Sequence, residues 1–159
     1  EARGQRYFAS AVGEVNVVEK MKQENAVIGG EGNGGVIYPE LHYGRDALVG
    51  IALFLSLLAK SGKTCSALRA SYPNYEISKN KMELTPEMNV DLILEKMAKK
   101  YADCEVLTTD GVKIMFKDEW VHLRKSNTEP IIRIYSESRD MAAANALATK
   151  IMNEIKQLL

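Results

Sequence analysis

The chain has 159 residues, with 21 lysines and arginines against 21 aspartates and glutamates, and is 46% hydrophobic and 26% charged. This balance leaves no overall positive field to recruit nucleic acid or an anionic membrane surface, so any anion site must be local. The composition is that of a globular chain, not a disordered, fibrous or disulfide-dense one, and the length fits two small domains or a truncated domain beside a whole one. Cys65 and Cys104 have neither metal-ligand spacing nor the density of a secreted scaffold, and read as reduced thiols of a cytoplasmic protein. The beginning at Glu1, without a leader pattern, is expected to lie inside a longer polypeptide. The most apolar stretch, Ala47 to Ala59, is shorter than the roughly 18 residues that indicate a membrane span.

In chain order, Tyr7 to Ala11 reads as a short strand, and Glu14 to Lys22 as a helix with Val17, Val18 and Met21 on one face. The apolar run Ala26 to Ile28 ends in a loop of little bulk, Gly29 to Gly35, after which Val36 to Pro39 continues extended. A buried helix follows from about Asp46 to Lys60, with Asp46 placed to cap it, and a short helical stretch lies around Ser66 to Arg69. Tyr72-Pro73-Asn74 favours a turn, and a domain boundary is expected there, dividing 1–74 from 75–159. Beyond it come a strand from Tyr75 to Leu84, Thr85-Pro86 as N-cap and first helical residue, and a helix with Val90, Ile93, Leu94, Met97 and Tyr101 on one face. Glu105 to Thr108 and Val112 to Phe116 flank the hairpin signal Asp110-Gly111, and Trp120 to Arg124 and Ile131 to Tyr135 read as strands. An amphipathic helix from Asp140 closes the chain. The fold class is therefore α/β followed by α+β: a truncated α/β domain, then a β-α-β-β-β-α domain with a mainly antiparallel sheet and both helices on one face.

Two constellations could carry chemistry. Gly30, Gly32 and Gly35 match G-x-G-x-x-G, but no helix opens after the loop and Glu31 would repel a pyrophosphate, which argues against dinucleotide binding. Glu31 and Asn33 among glycines suit a neutral polyol, since carboxylate and amide accept and donate hydrogen bonds to vicinal hydroxyls. The second is Arg124-Lys125-Ser126-Asn127-Thr128-Glu129-Pro130 with Arg133 in the next strand. Strand alternation sends Arg124 and Arg133 away from the core, where two guanidinium groups can flank a turn of hydroxyls and amides as a phosphate receptor does. Taken alone, each motif is equally compatible with a solvated surface turn. His42, His122, Asp110 and Asp118 read as structural, and no residues show metal-ligand spacing.

Taken as an ordered pair, Gly30-Glu31-Gly32-Asn33-Gly34 and Arg124 to Pro130 resemble the α-D-phosphohexomutase family of phosphoglucomutases, phosphomannomutases and phosphoglucosamine mutases. Val12-Gly13-Glu14 and Asp110-Gly111-Val112-Lys113 look like further landmarks of it. The resemblance implies the end of domain three (1–74) and the C-terminal domain four (75–159), the latter TATA-binding-protein-like in fold, with no DNA binding implied. It further implies a cytoplasmic isomerase of carbohydrate metabolism that interconverts hexose 1- and 6-phosphates through a phosphoserine, Mg2+ and a hexose 1,6-bisphosphate. Glu31 and Asn33 then grip sugar hydroxyls, while Arg124, Ser126, Asn127 and Thr128 hold the phosphate not being transferred; Arg133 is added from strand geometry. The family's phosphoserine and Mg2+ motifs do not occur in this sequence, so upstream domains are implied as partners and the isolated chain is expected to be inactive. Asn33 and Gly35 depart from the serine and histidine common in the family. The rival reading is a non-catalytic module that binds a phosphorylated ligand or partner.

Overall fold

The computed structural model describes residues 4–85, 88–126 and 128–158. The chain divides into two compact units, Glu1–Pro73 and Asn74–Leu159.

In the first unit, helix α1 (Glu14–Glu24) leads into three short antiparallel strands, β1 (Gly29–Gly30), β2 (Val36–Tyr38) and β3 (His42–Arg45), followed by α2 (Ala47–Ser61) and α3 (Cys65–Ala70). The glycine loop is thus the tip of a hairpin, with Gly29 opposite Ile37 and Gly30 opposite Val36. Asp46 caps α2 as its sequence position predicts, its side chain accepting from the Val49 amide. α2 is apolar on all sides, yet none of its residues is buried; Leu48 is 78% and Leu55 53% exposed. Such a helix is built to be enclosed. Tyr7 to Ala11 is not a strand. A strand exists through its ladder, and this segment has no partner among the described residues.

The second unit contains β4 (Glu76–Glu83), α4 (Val90–Lys100), β5 (Glu105–Leu107), β6 (Val112–Met115), β7 (Trp120–Lys125), β8 (Ile131–Ser138) and α5 (Met141–Gln157). The strands form one antiparallel sheet in the order β4-β8-β7-β6-β5. The realised order is β-α-β-β-β-β-α: all four strand segments read between Glu105 and Tyr135 form, and the order β-α-β-β-β-α counts one too few of them, the short arm Glu105–Leu107 pairing with Lys113–Met115. Strand alternation puts Met82, Val112, Ile114, Val121, Leu123, Ile132 and Ile134 on one face. They form a single core with Val90, Ile93, Leu94 and Met97 of α4 and Leu147, Ile151 and Ile155 of α5. Both helices therefore cover the same face. Each fully buried aliphatic side chain there contributes about 1.5–3 kcal/mol. Ser136, fully enclosed in this layer, donates to the Ala144 carbonyl, so its hydroxyl is not left unpaired.

The helix α4 begins later than the sequence predicts. Its cap is Asn89, which accepts from the Leu92 amide, and not Thr85; Pro86, expected as the first helical residue, lies outside the described residues. Both side chains can cap, and the choice falls to the one that reaches a free amide of the first turn. Gly111 turns the β5–β6 hairpin at φ +72, in the left-handed region that favours glycine.

Candidate functional site

The first candidate site is the β1–β2 hairpin tip. Its main chain closes on itself: the Glu31 amide donates to the Gly35 carbonyl (3.0 Å) and the Gly34 amide to the Glu31 carbonyl (3.0 Å). Asn33 Oδ1 accepts from the Gly35 amide at 3.0 Å, which commits the carbonyl end of this side chain and leaves the NH2 end to donate. Glu31 is only 15% exposed at its side chain and lies 3.3 Å from Arg45 Nη1. Its Oε2 is nonetheless buried with no hydrogen bond. The pair is thus an ion pair without an aligned N–H, so an acceptor lone pair is unused.

Arg45 anchors to α1 as well. Its backbone amide and Nε donate to Glu14 Oε1 and Oε2 at 3.1 and 2.9 Å. These bonds, the amide foremost and then the guanidinium, hold the Glu14 carboxyl below its ordinary range. Arg45 carries no motif or spacing that marks it in the sequence. It lies on β3, whose residues are mostly exposed and whose pairing with β2 shifts register between Ile37 and Tyr38, so no alternation marks it. The unmet requirement of a half-enclosed Glu31 for a cation was the available signal.

The second candidate site is the β7–β8 connection. Arg124 and Arg133 are direct cross-strand partners, so two like charges face each other on the sheet surface away from the helices. Each has a loose carboxylate neighbour: Arg124 Nη1 lies 3.3 Å from Asp110 Oδ2 and Arg133 Nη2 3.4 Å from Glu129 Oε2. Arg133 Nη1 is 3.5 Å from the Tyr135 hydroxyl, while Arg133 Nε is buried with no hydrogen-bond partner. In the turn, Ser126 is 7% exposed and donates its amide to the Ile131 carbonyl at 3.0 Å. Its hydroxyl accepts from the Thr128 amide at 3.4 Å and lies 3.5 Å from the Thr128 hydroxyl. These are long contacts that an anion could readily replace. Asn127, also expected here, lies outside the described residues.

His42 bridges Asp46 and the Gly44 amide, and His122 meets the Asp110 carbonyl, so both serve their own turns. Among the described residues no group of three or more His, Cys, Asp or Glu could hold a metal ion, and no helix is long and apolar enough to cross a membrane.

The domain family described as phosphoglucomutase/phosphomannomutase, alpha/beta/alpha domain III, matches residues 1–75, and its C-terminal domain matches residues 81–154. A phosphoglucosamine/phosphogalactosamine mutase of Sulfurisphaera tokodaii is 41% identical over 150 residues, covering 93% of this chain and 32% of that protein. A phosphoglucomutase/phosphomannomutase of Thermococcus kodakarensis is 38% identical over 156 residues, covering 95% and 34%. The crystal structure of a phosphoglucomutase/phosphomannomutase family protein from Burkholderia thailandensis superposes with a TM-score of 0.68 at 26% identity, covering 91% of this chain and 31% of that one. The chain thus spans about a third of the length of the relatives it matches.

Proposed function

Since the chain belongs to the phosphoglucomutase/phosphomannomutase family, in part of domain III and in the C-terminal domain, we propose that it supplies the substrate-positioning portion of a hexose phosphate mutase. One observation carries this reading. Among the described residues, the two buried side-chain atoms without a hydrogen-bond partner are Glu31 Oε2 and Arg133 Nε, one in each of the two constellations that the sequence marks as sites. Buried polar atoms are normally satisfied, so an acceptor beside a glycine tip and a donor beside an arginine pair support a hydroxyl ligand and an anionic ligand respectively.

The residues then have distinct tasks. Glu31 accepts from, and the Asn33 amide donates to, vicinal sugar hydroxyls. Arg124, Arg133, Ser126 and Thr128, with Asn127, hold the phosphate that is not being transferred. In the complete enzyme a phosphoserine gives its phosphoryl group to the hexose phosphate, and the resulting 1,6-bisphosphate reorients and returns the other phosphoryl group to the serine. The arginine loop must therefore hold phosphate in either orientation, and its contribution is positioning. The Mg2+ of the family does not fit the described residues of this chain, and no step here runs through it. Phosphoserine and metal ligands belong to upstream domains, so the chain alone is inactive in this reading.

The test is titration of the chain with a hexose 1,6-bisphosphate, followed by the amide resonances of Ser126 and Thr128. Arg124→Ala removes a charge-assisted contact and should weaken binding about ten- to a hundredfold. Shifts confined to other residues, or turnover by the chain without upstream domains, would defeat the reading.

A further inference from the structure

We infer that Arg45 is a positioning residue of the sugar loop, fixing the Glu31 carboxylate through a side chain that lies across Gly35. The inference rests on the assignment of Glu31 to sugar recognition. Arg45 is held at two points before it reaches the loop, its amide and Nε both bound by Glu14. A guanidinium gripped in this way keeps its plane, so Nη1 arrives beside Glu31 Oε2 at a set place, 3.3 Å away. The cation neutralises Glu31 without taking its hydrogen-bonding capacity, because Oε2 retains no hydrogen bond. This is the arrangement a carboxylate needs if it is to stay oriented while open to a hydroxyl.

Gly35 supplies the independent observation. A Cβ there would sit 2.7 Å from Arg45 Cδ, its nearest neighbour, and 3.3 Å from both Arg45 Cγ and Asn33 Oδ1, whereas the Gly35 backbone is outside the left-handed region that favours glycine. The residue is small because the arginine stem occupies its side-chain space, not because the turn demands it. Residues 35 and 45 are therefore one coupled unit. A side chain at 35 displaces the arginine and, through it, the carboxylate.

The test is steady-state kinetics of the full-length mutase on a hexose 1-phosphate for Arg45→Ala, Arg45→Lys, Gly35→Ala, the Gly35→Ala/Arg45→Ala double variant and Glu31→Gln. Arg45→Ala should raise KM about tenfold with kcat changed less than about threefold, the pattern of a lost ground-state contact. Arg45→Lys should recover part of that loss, since charge returns without the fork. Gly35→Ala should raise KM in the wild-type background and add nothing, within about twofold, once Arg45 is alanine. Additive effects of the two substitutions, or a fall in kcat at constant KM as expected when enzyme is merely lost to unfolding, would overturn the inference. An unchanged KM in Glu31→Gln would instead remove the underlying site assignment. A raised KM in Glu31→Gln with an unaltered Arg45→Ala would sink the positioning role alone.

Discussion

Gly111→Ala probes how the second unit holds Arg124. A Cβ at this position would overlap the Leu123 carbonyl oxygen and lie 3.1 Å from the Arg124 Cα, both main-chain atoms of β7. No side chain can swing aside to relieve it. Placing alanine at φ +72 costs about 1–2 kcal/mol, and forcing extra volume against a packed strand adds about 1–3 kcal/mol. The sum, about 2–5 kcal/mol, is a large share of the 5–15 kcal/mol typical of a domain. Urea unfolding followed by fluorescence reads this directly, because the single tryptophan of the chain, Trp120, lies on the affected strand. Gly111→Asn separates the two contributions: asparagine tolerates the left-handed region but keeps the Cβ, so it should recover only the first. Variants that still fold should also bind phosphate more weakly, since the strand shift falls at Arg124. A loss below about 1 kcal/mol for Gly111→Ala, or full rescue by asparagine, would refute the close-approach argument.

Arg133→Met should raise the urea midpoint, because it removes a like charge opposite Arg124 and an unpartnered buried Nε, while the half-exposed contact to Glu129 offsets little. Inorganic phosphate should stabilise the wild type, and the same variant should lose most of that stabilisation; a lowered midpoint with an unchanged phosphate effect would contradict this. Ser136→Ala should cost about 1 kcal/mol in the same assay, for the loss of one enclosed bond to the Ala144 carbonyl. Asp46 is held below its ordinary value of 3.8, first by the Val49 amide and then by His42. A depressed carboxyl contributes stability that is complete above its ordinary value and lost as pH falls through the depressed one. Asp46→Asn keeps the cap but cannot titrate, so helix content by circular dichroism should fall less steeply below pH 3.8 than in the wild type.

Much of the second unit was legible because its signals are periodic. Val121 and Leu123 alternate with His122 and Arg124, and that alternation placed both arginines on the face away from the helices, where the structure has them. The stripe Ala144, Leu147, Ala148, Ile151 and Ile155 likewise marked α5. Failures came where two local signals competed or where a partner was needed. Thr85 and Asn89 are both capping residues, and only tertiary geometry chose between them. Tyr7 to Ala11 has strand-like residues but no neighbour to pair with among the described residues. The contact from Arg45 to Glu31 and Glu14 joins residues on three separate elements across a bulged hairpin, and no spacing rule in one dimension encodes it. Glu31 was legible as chemistry; its support was not.

The anchorage of the glycine hairpin also bears on how such a loop diverges. Gly29 and Gly30 pair with β2 through main-chain atoms alone, and the tip is closed by amide–carbonyl bonds, with Asn33 adding one bond of its own. The register of the tip does not depend on which side chain stands at position 31. Under the proposed assignment of the tip to hydroxyl recognition, point substitution there changes the groups offered to a ligand while the scaffold beneath stays constant, a separation of recognition from architecture.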